Sequence, residues 1–321
     1  MTETAPQYEI LQANKGWFGS VDRIERLLLG LLLGLVVLCA ILSSAKNQAV
    51  SWSAFGLSLA PSFALFVAGI YIRTKKNKPN LANLAVANSL YLGFTGATTL
   101  LIFLRFPIQT PLLDERLMQI DAVIGYSWPE FVQLVGTYPT AARILGFVYM
   151  SSLPQLFFLV AFLALTGRVL SLHRALCAGS LSLLMTTIIW WALPSIGPSA
   201  YFNLPEGLAD SIGLVTNAEY GAYLVALANN GLSEISPADI VGTIAFPSYH
   251  TVMALLVVWY LRGSVFFVPA AILNLAMMPA ILSHGGHHMI DVAGGVVIFA
   301  IAAAFAATLT PQASYHSTCS A

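Results

Sequence analysis

Long apolar runs recur along the chain and alternate with short polar segments. A run of about 20 apolar residues is long enough for a helix to cross the hydrocarbon core of a bilayer. The sixth and seventh runs are short and are separated only by residues 261–265, so they also fit one broken span. The pattern predicts an all-α, polytopic membrane helical bundle with eight spans near residues 24–44, 53–73, 82–104, 141–166, 173–196, 249–262, 266–283 and 287–309.

Composition supports this membrane class, because 58% of the residues are hydrophobic, 9% are charged and the mean hydropathy is +0.79. A water-soluble domain needs more polar residues than this to cover its surface. The formal net charge is zero, so nucleic acid is not an expected partner and the lipid bilayer is. Cys39, Cys177 and Cys319 form no CxxC pair and say nothing about the redox compartment.

Lysine and arginine are divided unevenly between the two sets of alternate segments, ten against four. Because basic residues are retained on the cytoplasmic side, both termini are predicted to be cytoplasmic and the loops at 105–140 and 197–248 to face outward. The first run is predicted to be an uncleaved anchor, since a long acidic segment precedes it. The richer set is Lys15, Arg23, Arg26, Arg73, Lys75, Lys76, Lys78, Arg168, Arg174 and Arg262; the poorer set is Lys46, Arg105, Arg116 and Arg143.

The first outward loop carries apolar residues at a rough helical spacing between Asp114 and Val135. This spacing predicts an amphipathic helix lying along the membrane interface. Its acidic residues, Asp114, Glu115 and Asp121, are expected on the solvated face, although binding of a polyol head group is an alternative. The Trp190–Trp191 pair is expected to anchor a helix end at the interface.

Four of the six histidines lie in two short outward segments, which contain His250 and the trio His284, His287 and His288. Asp291 is the last acidic residue of the chain and begins an apolar helix, where a carboxylate needs a partner. His287 and Asp291 are four residues apart, so they share one face if that helix begins near residue 286. The carboxylate would then accept the proton of one ring nitrogen and leave the other as a nucleophile.

His250 is the candidate proton donor for a departing alkoxide, because an unperturbed histidine has a pKa of about 6.5. Pro247 suits the first turn of a helix. Ser248 and the free N–H groups of that turn are candidate ligands for phosphate oxygens. His288 is expected to be structural, and His173 and His316 are expected to be solvated.

These segments resemble the type 2 phosphatidic acid phosphatase superfamily, nearest to its branch of inositol phosphorylceramide synthases and their bacterial relatives. The resemblance covers about residues 82–310 and includes the segment 193–201, in the place of the first family motif. It is carried by two motifs, Pro247-Ser248-x-His250 and His287-x-x-x-Asp291-x-x-Gly294-Gly295.

The resemblance implies a phosphohistidine at His287, oriented by Asp291, with His250 protonating the leaving group and Ser248 binding phosphate. It implies no metal and no cofactor. The classical phosphatase branch has a lysine and arginines at its motifs, whereas this chain has no Lys or Arg between Ala175 and Leu261 and none after Arg262. The cation that neutralises the phosphate is therefore open between Arg105, Arg116, Arg143 and a protonated His284.

The expected organisation is a cytoplasmic tail at 1–23, two extra transmembrane helices at 24–80, a six-helix catalytic core at 81–310 and a cytoplasmic tail at 311–321. The expected function is phosphoryl transfer on a membrane lipid at the outer face of a plasma or inner membrane. Lipid phosphate phosphatase and inositolphosphotransferase-like head-group transferase are equally compatible with the motifs.

Two other classes fit less well. A metal-dependent membrane hydrolase could use the cluster at 284–291, but the segment lacks the paired histidines and intervening glutamate of the common zinc motif. A transporter or purely structural membrane protein would place charges in mid-helix and pair broken helices, and neither signature is present.

Overall fold

The computed structural model describes residues 20–311 of the 321-residue chain. Helices dominate these residues, and a single pair of two-residue parallel strands, β1 (Ala49–Val50) and β2 (Glu234–Ile235), joins two loops. The predicted all-α bundle is therefore confirmed. The predictions for Lys15, His316 and Cys319 fall outside the described residues.

Thirteen α-helices occur between residues 20 and 311, joined by short turns of other helical types at Ile72–Lys76, Pro198–Ala200 and Pro237–Asp239. In chain order they are α1 (Arg23–Ala45), α2 (Trp52–Tyr71), α3 (Pro79–Phe103), α4 (Asp114–Val123), α5 (Trp128–Gly136), α6 (Pro139–Met150), α7 (Ser152–Leu165), α8 (Val169–Ala192), α9 (Leu208–Ile212), α10 (Ala218–Asn230), α11 (Tyr249–Tyr260), α12 (Phe267–His284) and α13 (Met289–Leu309).

Six of these helices are long and apolar enough to cross a membrane: α1, α2, α3, α8, α12 and α13. Helices α6 and α7 together are long enough for a seventh span, but they are bent by 47° at Ser151. Pro154 lies in the first turn of α7 and cannot donate to the preceding turn, which accounts for a break at this position. The predicted span at 141–166 is therefore a broken one, and the short runs at 249–262 and 266–283 are two separate helices, α11 and α12.

The short helix α11 packs at the centre of the bundle, against α7, α8, α12 and α13. Gly295 of α13 permits this contact, since a Cβ atom there would lie 2.5 Å from the carbonyl oxygen of Ser248. The prediction that Gly294 and Gly295 permit close helix packing agrees with this contact.

Helices α1 and α2 pack on α3, and a buried ion pair joins α1 to the turn after α2. Both nitrogens at the tip of Arg73 donate to the carboxylate of Glu25, at 2.7 Å each. His173 of α8 lies 3.9 Å from the same carboxylate and 3.7 Å from that of Asp22. His173 is therefore buried, and its predicted solvation is wrong because two carboxylates of the α1 region pack over it.

The bundle has two chemically different ends. The histidine end, as we name it, contains the N-termini of α11 and α13, the C-terminus of α8 and the loops at 104–138 and 193–248. The arginine end contains the C-termini of α11 and α13 and the N-terminus of α8, with Arg168, Arg174 and Arg262. The residues that form the candidate site all lie at the histidine end.

Candidate active site

His287 and Asp291 come together at the start of α13. The helix begins at Met289, so the predicted start near residue 286 is wrong; Gly286 has a φ of +60° and turns the chain before the helix. Asp291 is the third helical residue, and its Oδ2 atom accepts the backbone N–H of His288 at 2.9 Å. The same oxygen lies 3.1 Å from Nδ1 of His287. The pair is therefore brought together by a helix cap. The spacing predicted a contact along one helix face, and this is not how the contact forms.

The carboxylate of Asp291 determines which ring nitrogen of His287 keeps a free lone pair. When Nδ1 carries the proton that Asp291 accepts, Nε2 keeps a lone pair. That Nε2 atom lies 3.4 Å from Oγ of Ser248, which is the residue that caps the N-terminus of α11. The backbone N–H of Ser248 also donates to the carbonyl oxygen of Asp291 at 3.0 Å. The Nε2 atom of His287 therefore faces a helix N-terminus, where an anion is stabilised.

His250 lies in the first turn of α11 and stacks on Tyr149, with ring centroids 4.4 Å apart. Its ring centroid lies 6.1 Å from that of His287, and the two rings are arranged edge to face. Among residues 20–311, neither ring nitrogen of His250 has a protein hydrogen-bond partner, whereas Nδ1 of His287 lies 3.1 Å from Asp291. Pro247 precedes the cap residue and is not in the first turn, contrary to the prediction.

His284 is the last residue of α12 and is fully buried. Its Nδ1 atom lies 3.0 Å from Oγ of Ser283, and its Nε2 atom lies 3.5 Å from the carbonyl oxygen of Ile212. Both ring nitrogens are thus within reach of protein atoms. This arrangement offers no support for the predicted phosphate-binding role of His284.

His288 forms a buried ionic cluster with two acidic residues of α4. Its Nδ1 atom lies 2.8 Å from Oδ2 of Asp121, and its Nε2 atom lies 3.7 Å from Oδ1 of Asp114. Burial opposes protonation, but the two carboxylates outweigh it and raise the pKa of His288 to about 9. A positively charged side chain therefore follows His287 directly in the chain at neutral pH.

The burial of these two acidic residues contradicts the amphipathic prediction for α4. Asp114 and Asp121 are 0% and 3% exposed, whereas Ile120 and Ile124 are about half exposed. The helix turns its carboxylates inward because His288 and backbone N–H groups satisfy them. The chain segments involved are 167 residues apart, so no local pattern could have identified the contact.

The segment in the place of the first family motif is held against both histidine segments. Oδ1 of Asp114 accepts the backbone N–H of Gly197 at 2.7 Å. A Cβ atom at Gly197 would lie 2.5 Å from the carbonyl oxygen of Gly286, and Oγ of Ser195 accepts the backbone N–H of Phe246 at 3.2 Å. Asp114 therefore fixes a loop that contacts both segments of the candidate site.

Trp190 differs from its predicted role as an interface anchor. It is fully buried, packs edge-on against Phe106 at 5.5 Å and donates its indole N–H to the carbonyl oxygen of Ser195. The indole thus supports the loop at 193–201 from inside the bundle.

The structure does not bring the three arginines that were predicted as candidate phosphate ligands into contact with the histidine segments. Arg105 donates to the carbonyl oxygen of Trp191, and Arg143 donates to that of Ser211. In residues 20–311 neither they nor Arg116 forms a hydrogen bond with the histidine segments. Within the same range, no group of three His, Cys, Asp or Glu side chains has the geometry to hold a metal ion.

Comparison with known proteins identifies a family for this arrangement. The sequence model of the PAP2 superfamily matches residues 115–305, which is more than half of the chain and includes both histidine segments. No curated protein and no solved structure matches the chain significantly.

Proposed function

The chain belongs to the PAP2 superfamily, the type 2 phosphatidic acid phosphatases, and we propose that it transfers a phosphoryl group from a membrane lipid through a phosphohistidine at His287. The observation that carries this proposal is the geometry of one ring. Nδ1 of His287 lies 3.1 Å from Oδ2 of Asp291, and Nε2 faces the N-terminus of α11. The ring centroids of His287 and His250 are 6.1 Å apart.

In the first step, Nε2 of His287 attacks the phosphorus atom and the ester bond between phosphorus and the lipid oxygen breaks. The lipid oxygen takes the electron pair of that bond and a proton from His250, and the lipid alcohol leaves. Asp291 stabilises the positive charge that develops on the His287 ring. In the second step, His250 takes a proton from water or from an alcohol, whose oxygen attacks the phosphorus atom. The bond between phosphorus and Nε2 breaks, its electron pair returns to the His287 ring, and phosphate or the new phosphate ester leaves.

Two kinds of donor near the nucleophile compensate for the basic residues that the classical branch carries. The hydroxyl group of Ser248 and the free N–H groups of the first turn of α11 are donors for phosphate oxygens. The charged ring of His288 is neutralised by Asp114 and Asp121, so its charge holds the cluster together and is not available to the phosphate. A helix N-terminus thus takes the place of arginine side chains.

Head-group transfer, as in the inositol phosphorylceramide synthase branch, is the second candidate function. A cavity of about 200 Å³ is lined by Trp128, Asn203, Glu206, Asp210 and Asn217. Carboxylates, amides and an aromatic face suit a ligand with several hydroxyl groups. Ser199 borders this cavity and also lies against Gly286, so the cavity adjoins the candidate site. A polyol attached to the phosphorus would fit there.

A substrate panel on the purified protein tests both candidates. We expect a lipid substrate labelled at phosphorus to leave an acid-labile phosphohistidine on the wild type and none on His287→Ala. Vanadate should abolish turnover, and chelators should not. Released phosphate indicates hydrolysis, and label on a second lipid indicates head-group transfer. Phosphohistidine on His287→Ala would overturn the role of His287, and chelator inhibition reversed by zinc would favour the metal-dependent hydrolase.

We further propose that the histidine end faces away from the cytoplasm, as the distribution of basic residues indicates. Ser211 is exposed at this end, in the loop at 193–248. A cysteine placed there should react with an impermeant thiol reagent in intact cells. Reaction only after lysis would place the site on the cytoplasmic face.

A further inference from the structure

A second cavity lies at the arginine end, between α8, α11 and α13, and has a volume of about 500 Å³. Arg168, Arg174 and Arg262 line it together with Trp259. The cavity begins at Phe299 of α13, 12 residues after His287, which is a distance of about 18 Å along the helix. It is therefore a separate site, and it has no part in the chemistry proposed for His287.

Among residues 20–311, the three arginines have no carboxylate partner. Arg174 donates to the hydroxyl and carbonyl oxygens of Thr310, at 3.1 Å each, and both acceptors are neutral. Arg262 lies over the ring of Trp259 at 3.4 Å, and Arg168 lies 5.1 Å from the ring of Phe162. Over residues 20–311 none of the three forms a salt bridge. Three guanidinium groups without a countercharge attract an anion.

The other wall of the cavity is apolar. Ala300, Ala303, Ala304 and Ala307 of α13 line it, and their spacing of three to four residues places them on one helix face. Small side chains here leave a groove along a membrane-spanning helix, beside the arginines. A ligand that fills the whole cavity therefore needs both an anionic group and a hydrocarbon chain.

We propose that this cavity binds an anionic phospholipid of the leaflet at the arginine end. Its phosphate lies among Arg168, Arg174 and Arg262, and one acyl chain lies along the alanines of α13. Basic pockets between transmembrane helices bind the head groups of anionic lipids in this way. The aromatic ring of Trp259 keeps the side chain of Arg262 at the rim of the cavity.

The test uses the full-length protein in an uncharged detergent, with equal amounts of phosphatidylglycerol and phosphatidylcholine. Native mass spectrometry measures which lipid is retained. We expect the wild type to prefer phosphatidylglycerol. Each arginine near a membrane surface contributes about a fivefold factor in affinity, so Arg168→Gln with Arg262→Gln should weaken retention about thirtyfold. Arg174 is left in place because it also holds Thr310.

The matched control removes two positive charges from the same end of the bundle, outside the cavity. Lys75 and Lys76 are exposed, and Lys75→Gln with Lys76→Gln should keep the preference for phosphatidylglycerol. Equal retention of the two lipids by the wild type would overturn the proposal. An equal loss in the control variant would also overturn it, since attraction would then depend on overall charge and not on the cavity.

A third variant separates a lipid from a free anion. Ala304 is exposed on α13, and Ala304→Phe fills the groove without changing any charge. We expect this variant to lose its bound phosphatidylglycerol. In the wild type, we expect inorganic phosphate to compete poorly with the lipid. If inorganic phosphate displaces the lipid and Ala304→Phe has no effect, the cavity is a site for soluble anions and the lipid proposal is wrong.

Discussion

At the histidine end, Asp114, Asp121 and His288 are buried, and both carboxylates lie within ion-pair distance of the histidine ring. At the arginine end, Arg168, Arg174 and Arg262 have no carboxylate partner within residues 20–311. Buried charges must be paired by the protein itself, so they fix the positions of the segments that carry them. Charges at an open rim can be satisfied by the surroundings. The ionic cluster at the histidine end therefore fixes local geometry, and the three arginines of the cavity are available for binding. The buried pair of Glu25 and Arg73 at the arginine end lies outside that cavity.

Removing the charge that orients His287 should have the largest effect. We expect Asp291→Asn to lower kcat by about 10⁴, because an amide presents the wrong partner to the imidazole and changes its tautomer. The protein should still fold. Glu115→Gln is the control, since Glu115 is an exposed carboxylate at the same end. Equal rates for wild type and Asp291→Asn, measured as substrate turnover, would contradict the assigned role.

Removing His250 should act on one step only. A general acid contributes about 10²–10⁴ to the rate, so His250→Ala should turn over lipid substrates more slowly by that factor. An activated aryl phosphate has a leaving group that needs no proton, and its burst of phosphoenzyme formation should survive. If both substrates slow equally, His250 does not protonate the leaving group.

Breaking the buried ionic cluster should destabilise the fold at the histidine end. Removing one partner of a buried ion pair costs about 3–5 kcal/mol, and we expect Asp121→Asn to lower the free energy of unfolding by that amount. Thermal unfolding in detergent measures the change. Glu115→Gln, on the same helix, should have little effect. A similar loss in both variants would mean that the cluster is not the cause.

The same cluster predicts a pH dependence. The pKa of His288 is raised from 6.5 to about 9 in the folded protein. A raised pKa means that the stabilisation is complete below about pH 6.5 and is lost as the pH rises through about 9. The melting temperature of the wild type should fall over this range, and that of Asp121→Asn should fall less. Parallel curves for the two proteins would argue against His288 as the titrating group.

A change at the arginine end should have the smallest effect on stability. We expect Arg262→Gln to change the free energy of unfolding in uncharged detergent by less than about 1 kcal/mol, because its contact with Trp259 is at an exposed site. Chemical denaturation measures this difference. A loss as large as that for Asp121→Asn would show that Arg262 has a strong partner within the protein.

The sequence predicted the spans well because each apolar run is a local signal. The break at Ser151 was missed, since the run from 141 to 166 is continuously apolar and only Pro154 marks the bend. The pairing of His287 with Asp291 followed from a spacing of four residues, although a helix cap produces it. The spacing limited the distance between the two residues but did not define where the helix begins.

Long-range partners were beyond the reach of local patterns. Asp114 and Asp121 looked like solvated residues because their partner, His288, is more than 160 positions away. His173 looked solvated for the same reason, since Glu25 belongs to another helix. In an apolar chain with few charges, each buried charge needs a partner, but the sequence does not say which of the remaining charges it is.

The length of α11 sets the depth of the chemistry in the membrane. Its 12 residues rise about 18 Å, whereas the hydrocarbon core is about 30 Å thick. Arg262 follows the helix closely and marks the polar boundary at one end. With Arg262 at one boundary and α11 along the membrane normal, we expect Ser248 to lie about 12 Å beneath the opposite boundary. Under the proposed function, a lipid would have to lower its phosphate below the plane of its neighbours to reach His287, and we expect a thinner bilayer to shorten that path and speed substrate entry.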